Sequence, residues 1–253
     1  PMTRTVRDAA LMFGAMAQHD LRDPYSLPDE PRNWLDGIED GVRGMRVALV
    51  RRMGFAPPLD AEGEAVLAGA ARLLEEQGAI IEEADPELPD TRAIFGRVWG
   101  VALARIIATT PEDKRELLDA GIAEVATREG QMLAVDYLAA EAMRLEAAHA
   151  MARFHQRYDL VLTACTPTAA FAADQPTIRP AEALWRDWAP WTFAFNLTRQ
   201  PAISVPVALD AEGMPRAVQI VAPLYRDDLA LRGARALERA ANLPLANPPA
   251  SAT

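Results

Sequence analysis

The feature that most constrains the fold is a stretch over residues 45–83 in which the hydrophobic period changes twice. Met45-Arg-Val-Ala-Leu-Val50 is an apolar run of strand length. Asp60 then heads a segment with apolar residues at helical spacing, and that segment ends at Gln77 before Gly78. An aspartate can accept hydrogen bonds from the free N–H groups of a first helical turn, and a glycine tolerates the left-handed conformation that ends one. Ala79-Ile-Ile-Glu-Glu83 reads as a second strand. Strand, helix and strand at this spacing predict a βαβ unit. Such a unit places the two strands in parallel, because parallel neighbours need a crossover between them.

The rest of the chain extends this pattern. Thr5-Val-Arg-Asp8 has the form of a capping box with aspartate in the acidic position, so a helix is predicted over residues 9–16. Residues 20–44 are rich in proline, aspartate and glycine and predict a long surface loop. Helical spacing fills residues 90–157, broken near Pro111 and Gly130, with a final Ala-rich helix from about 132 to 157. A buried strand is expected over 160–164, a loop over 165–180 and a short aromatic helix over 185–196. Residues 202–209 and 217–222 predict two strands, joined by Asp210-Ala-Glu-Gly213 with glycine supplying positive φ. Asp227 or Asp228 is expected to cap a last helix reaching about Ala241. Together these elements predict an α/β fold, a mixed β-sheet flanked by helices, in one domain over residues 1–241. The Pro-rich tail, 242–253, is expected to be disordered.

Half of the residues are hydrophobic and a quarter charged, enough apolar material for a sizeable core. The net charge of −10 argues against a nucleic-acid partner, because phosphate binding needs a basic surface. The single cysteine, Cys165, excludes an internal disulfide and suits a reducing compartment. With no membrane-length apolar run and no signal peptide, the sequence predicts a cytoplasmic protein without a membrane partner. A chain that opens at Pro1 rather than at methionine is expected to be a piece of a longer polypeptide.

Three segments carry a resemblance to one family. The opening, Pro1-Met-Thr-Arg-Thr-Val-Arg-Asp-Ala-Ala-Leu, resembles the segment that follows the nucleophile region in amidase-signature enzymes. Tyr158-Asp-Leu-Val-Leu-Thr-Ala-Cys-Thr-Pro-Thr168 is similar to a second stretch of theirs. Most specific is Trp191-Thr-Phe-Ala-Phe-Asn-Leu-Thr-Arg-Gln-Pro-Ala-Ile-Ser-Val-Pro206, followed by Gly213, Gln219-Ile-Val221 and Asp227-Asp228 in the family's order. The resemblance implies the C-terminal part of the amidase-signature fold, and an activity that hydrolyses carboxamides without metal or cofactor through a Ser–cis-Ser–Lys triad. In that chemistry a buried lysine, its charged form disfavoured by desolvation, draws the proton from serine through the middle serine.

That machinery is missing from these residues. There is no Gly/Ser-rich signature, and the three serines, Ser26, Ser204 and Ser251, are far apart in sequence. Lys114, the only lysine, stands between Asp113 and Arg115, a solvated setting. No catalytic residue is therefore assigned, and the chain alone is expected to be inactive. The resemblance implies instead that Thr192 and Phe195 face the acyl-substrate channel, within an aromatic cluster formed with Trp185, Trp188, Trp191 and Phe193. The alternative for these aromatics is core packing. The family's usual glycine is here Arg199, which either reaches solvent or meets a substrate carboxylate. The expected partners are a small-molecule amide in the complete enzyme, and either the N-terminal half of the same fold or a second copy of the chain. Two rivals stand beside this reading: a non-catalytic module that binds a ligand or partner, and an unrelated enzyme pairing Cys165 with His155 or His149. No spacing of histidine, cysteine and carboxylate fits a metal site.

Overall fold

A computed structural model describes residues 1–29, 32–53, 56–174 and 189–244. Seven helices and five strands follow one another among them. Helix α1, Val6–Met16, starts where Thr5 accepts a hydrogen bond from the Asp8 N–H, as the capping pattern predicts. Turns without helix or strand then lead to β1, Arg46–Val50, and to α2, Ala61–Glu76. Asp60 accepts from the Gly63 N–H at the head of α2, and Gly78, at φ +90°, carries the chain into β2, Ile80–Glu83.

The helical region resolves into α3, Thr91–Thr109, a 3-10 turn at Glu112–Leu117, α4, Ala120–Glu129, and α5, Ala134–Phe154. The extra break before α4 comes from Asp119, whose carboxylate caps the Gly121 and Ile122 N–H groups. Strand β3, Leu160–Ala164, leads into turns over 165–174, and the later elements are α6, Pro190–Thr198, β4, Ala202–Leu209, β5, Pro215–Val221, and α7, Asp227–Ala241. The first four residues of the predicted aromatic helix, with Trp185 and Trp188, and the expected disordered tail beyond residue 244 lie outside the described residues.

One prediction about α7 is corrected. Neither Asp227 nor Asp228 caps it; both lie inside its first turn, and the capping position is Arg226, with no side-chain cap. The Asp228 carboxylate is taken by the Arg226 guanidinium, at 3.0 and 2.9 Å.

The sheet order is β2-β1-β3-β5-β4. β1 lies parallel to both β2 and β3, while β5 runs antiparallel to β3 and to β4. The mixed sheet and the predicted βαβ unit are both present. Because side chains alternate across a strand, each face of the sheet makes its own core. On one face Val47, Leu49, Leu160, Leu162, Val218 and Ile220 meet Leu67 and Leu74 of α2 and Ala234 and Leu237 of α7. Gly233 lets α7 lie this close, since a Cβ there would stand 2.6 Å from a Leu160 methyl. On the other face Ala48, Val50, Val161 and Val221 meet Met151 of α5 and Trp191, Ala194 and Phe195 of α6. Among the described residues no helix is long and apolar enough to cross a membrane.

Candidate functional site

The crossover α2 lies on one face of the sheet and α6 on the other, with β1 and β3 side by side between them. In open α/β sheets, ligands bind beyond the carboxyl ends of the strands near such a change of side. A cleft of about 410 Å³ opens there, between the start of α2, the loop after β3 and the start of β5. Val66 and Leu67 form one wall, Ala169 to Phe171 another, and Ala217 and Val218 a third. Cys165, Thr166, Thr168, Ser204 and Arg216 bring polar atoms to it.

Sequence distance hides most of this constellation. Cys165 follows the last residue of β3 and Ser204 lies within β4, yet the Cys165 thiol donates to the Ser204 hydroxyl oxygen across 3.2 Å. Burial pushes the thiol up to about 11, and the hydrogen bond with Ser204 opposes this only in part. Cys165 is thus a neutral thiol near pH 7, not a nucleophilic thiolate. Arg216, 6% exposed, enters from β5 and reaches back to α2, giving Nη2 to Asp60 at 2.7 Å and lying 3.5 Å from Glu62. Its charge is balanced by those two carboxylates. The sequence marked Asp60 as a helix cap but gave no sign that a strand arginine would share it.

The remaining candidates fall elsewhere. His155 ends α5, its Nδ1 against the Tyr158 carbonyl at 3.1 Å, while Cys165 lies beyond the opposite end of β3. His149 is exposed on α5. The thiol–imidazole pair does not form. His155 is half-buried, and burial lowers its pKa. Lys114 is exposed in the 3-10 turn between α3 and α4, far in the chain from every serine. Ser26 bonds His19 within its own loop and the backbone around it. Among the described residues no group of histidine, cysteine and carboxylate side chains could hold a metal.

Thr192 and Phe195 sit one turn apart on α6 and do not line the cleft. Thr192 is half-buried and its hydroxyl returns to the Ala189 carbonyl at 2.8 Å. Phe195 is buried beside Trp191, whose indole N–H donates to the Pro57 carbonyl at 3.2 Å. Phe193 instead stacks on Phe95 of α3. Arg199, exposed, follows the helix at φ +62°, the left-handed conformation that favours glycine. The backbone geometry thus accounts for the family's usual glycine.

Fold and sheet order describe an α/β arrangement with a cleft beyond its strand ends, and comparison with known proteins gives its class. The Amidase family model matches residues 1–231, and the chain belongs to that family. It is 31% identical over 267 residues to a glutamyl-tRNA(Gln) amidotransferase subunit of Rhodospirillum rubrum, covering 95% of this chain and 52% of that protein. It is 30% identical to an acylamidase of Rhodococcus erythropolis, covering 94% and 51% of the two. Among solved structures, 6-aminohexanoate cyclic dimer hydrolase superposes with a TM-score of 0.82 at 25% identity, over 95% of this chain and 54% of that one. A bacterial aryl acylamidase of the amidase signature family gives 0.81 at 23% identity, a likeness of fold, over 94% and 52% of the two. The chain spans about half the length of the curated relatives it matches.

Proposed function

We propose that this chain supplies the scaffold and one substrate-pocket wall of an amidase-type hydrolase, and that the nucleophile, relay and base come from polypeptide outside residues 1–253. One observation carries the reading. Ser204, the serine at the cleft, has a thiol for a neighbour instead of a base, and the only lysine of the chain is exposed between α3 and α4. A serine attacks an amide only when a neighbouring group removes its proton. The Cys165 thiol beside it, held protonated by burial, is no base for that step.

In the complete protein the reaction would be attack of an activated serine on a carboxamide, loss of ammonia or an amine, and hydrolysis of the acyl-enzyme. Thr192 and Phe195 would form the acyl-channel wall, Thr192 at its surface and the buried Phe195 behind it. The second half of the fold is the natural partner. β4 stands at the sheet edge with no charged residue in eight positions, and such an edge invites pairing.

The test is ammonia release from simple aliphatic and aromatic amides by the purified chain. No turnover is expected. Turnover abolished by Cys165→Ala would overthrow the reading in favour of thiol catalysis. A chain that stays inert when supplied with the complementary half would instead be a non-catalytic binding module built on the amidase fold.

A further inference from the structure

We infer that the outward face of α5 docks a second copy of this chain, the two helices packing antiparallel about a two-fold axis between Met143 and Arg144. The inference is independent of the proposed function. Helix α5 is apolar on two opposite sides, and the rest of the chain covers one of them. On that side Ala140, Ala147 and Met151 are buried. Across the helix stand Val135, Leu138 and Leu145, 66%, 65% and 56% exposed, with Ala142, His149 and Ala152 exposed in line with them. Such an apolar stripe on a helix is ordinarily turned towards a partner surface.

The spacing identifies the partner. From Val135 to Ala152 these six positions follow in steps of three, four, three, four and three, the repeat by which one helix lies along another. Pairing Ala142 with the partner's Leu145 sets Leu138 against the partner's His149 and Val135 against the partner's Ala152. Each aliphatic side chain then meets a small or flat one, and the same six residues serve both copies, as a two-fold contact requires. Charge sets the direction. Antiparallel packing brings Arg153 beside the partner's Asp136, twice by symmetry; both residues are exposed, and neither makes an ion pair among the described residues. Parallel packing would instead set Glu141 beside the partner's Glu146 on both flanks, where like charges repel. One helix pair is small beside the roughly 800 Å² per partner of a standard interface, so the dimer is reversible, with an expected dissociation constant of about 10–100 µM.

Sedimentation equilibrium of chain 1–253 reads this dimer directly. Leu138→Lys and, separately, Leu145→Lys should each weaken it by about tenfold or more, with the melting temperature unchanged because both side chains are exposed. Asp136→Arg alone and Arg153→Asp alone should each weaken it, since each sets like charges together at both ends of the contact. An equimolar mixture of these two variants should restore it, each supplying the charge the other needs. A monomer at every concentration would overturn the inference. So would association untouched by the folded lysine variants, which would place the contact elsewhere, as at the β4 edge. Charge variants that leave the dimer unchanged, or that fail to rescue one another in the mixture, would overturn the antiparallel pairing. Lysine variants that lose assembly with the complementary half while self-association persists would give this face to that half, and would overturn the inference too.

Discussion

At Arg199 the backbone makes a demand that the side chain does not meet. The residue holds φ +62° after the last turn of α6, where its own N–H and that of Gln200 both reach the Phe195 carbonyl. A Cβ in this conformation crowds the following carbonyl, at a cost of about 1–2 kcal/mol, part of which glycine's own chain entropy offsets. Arg199→Gly should therefore stabilise the chain by about 1 kcal/mol, read as a higher denaturation midpoint with unchanged slope. A loss of stability would mean that the guanidinium makes a contact worth more than the strain. The aliphatic and polar neighbours of this residue were plain in the sequence. Its φ was not.

His155 gives a second test at this scale. Burial lowers its pKa below the ordinary 6.5, while the unfolded chain keeps the ordinary value. Above 6.5 the imidazole is neutral in both states, so its burial adds no pH dependence there. As the pH falls from 6.5 towards the folded value, the unfolded chain gains a proton that the folded one refuses, so stability drops. His155→Gln should flatten the decline in melting temperature just below pH 6.5. An unchanged slope in the variant would assign that decline to other groups.

Among the elements, what local chemistry dictates was legible and what distant chain supplies was not. The Asp60 cap, the Gly78 exit and the short strand-length runs of β1 and β2 each act within a few residues, so the βαβ unit could be read directly. The Cys165–Ser204 contact joins residues 39 apart and Arg216–Asp60 joins residues 156 apart, and nothing near either partner announces the other. α6 shows the limit most clearly. Its aromatics were open to two readings, core and channel, and the structure puts Phe195 and Trp191 in the core while Thr192 remains half-buried. The channel role is testable through that difference. In the enzyme assembled from both halves, Thr192→Trp should raise KM or shift acyl preference several-fold, with little change in melting temperature, because a pocket wall is not close-packed. A large drop in melting temperature with acyl preference unchanged would place Thr192 in the core as well.

For the whole molecule the two sheet edges differ in kind. β2 ends in Glu82 and Glu83, and Arg46 pairs with Glu82 at 2.7 Å, charges of the sort that blunt an edge against further pairing. β4 has eight uncharged residues, with Ala202, Ser204, Pro206 and Leu209 exposed. Elsewhere Leu133, Val135, Leu138 and Leu145 are each more than half exposed on or beside α5. Isolated apolar side chains at a surface are ordinary, but several on one helix together with an open strand edge favour association. Light scattering on the purified chain should show oligomers or aggregates that grow with concentration. A monodisperse, cooperatively melting monomer that binds no apolar dye would favour a self-contained module over half of a fold.

The central claim, that the chain provides a wall and a scaffold for catalysis performed by residues it lacks, is tested most directly by ammonia release in a reconstituted pair. Chain 1–253 would be co-expressed with a polypeptide carrying the Gly/Ser-rich half of an amidase-signature enzyme, and each half assayed alone and together on the same amides. The account predicts turnover only from the pair, lost when the nucleophilic serine of the added half becomes alanine and retained in Cys165→Ala. Hydrolysis by chain 1–253 alone, or activity of the pair that survives loss of that serine, would contradict it.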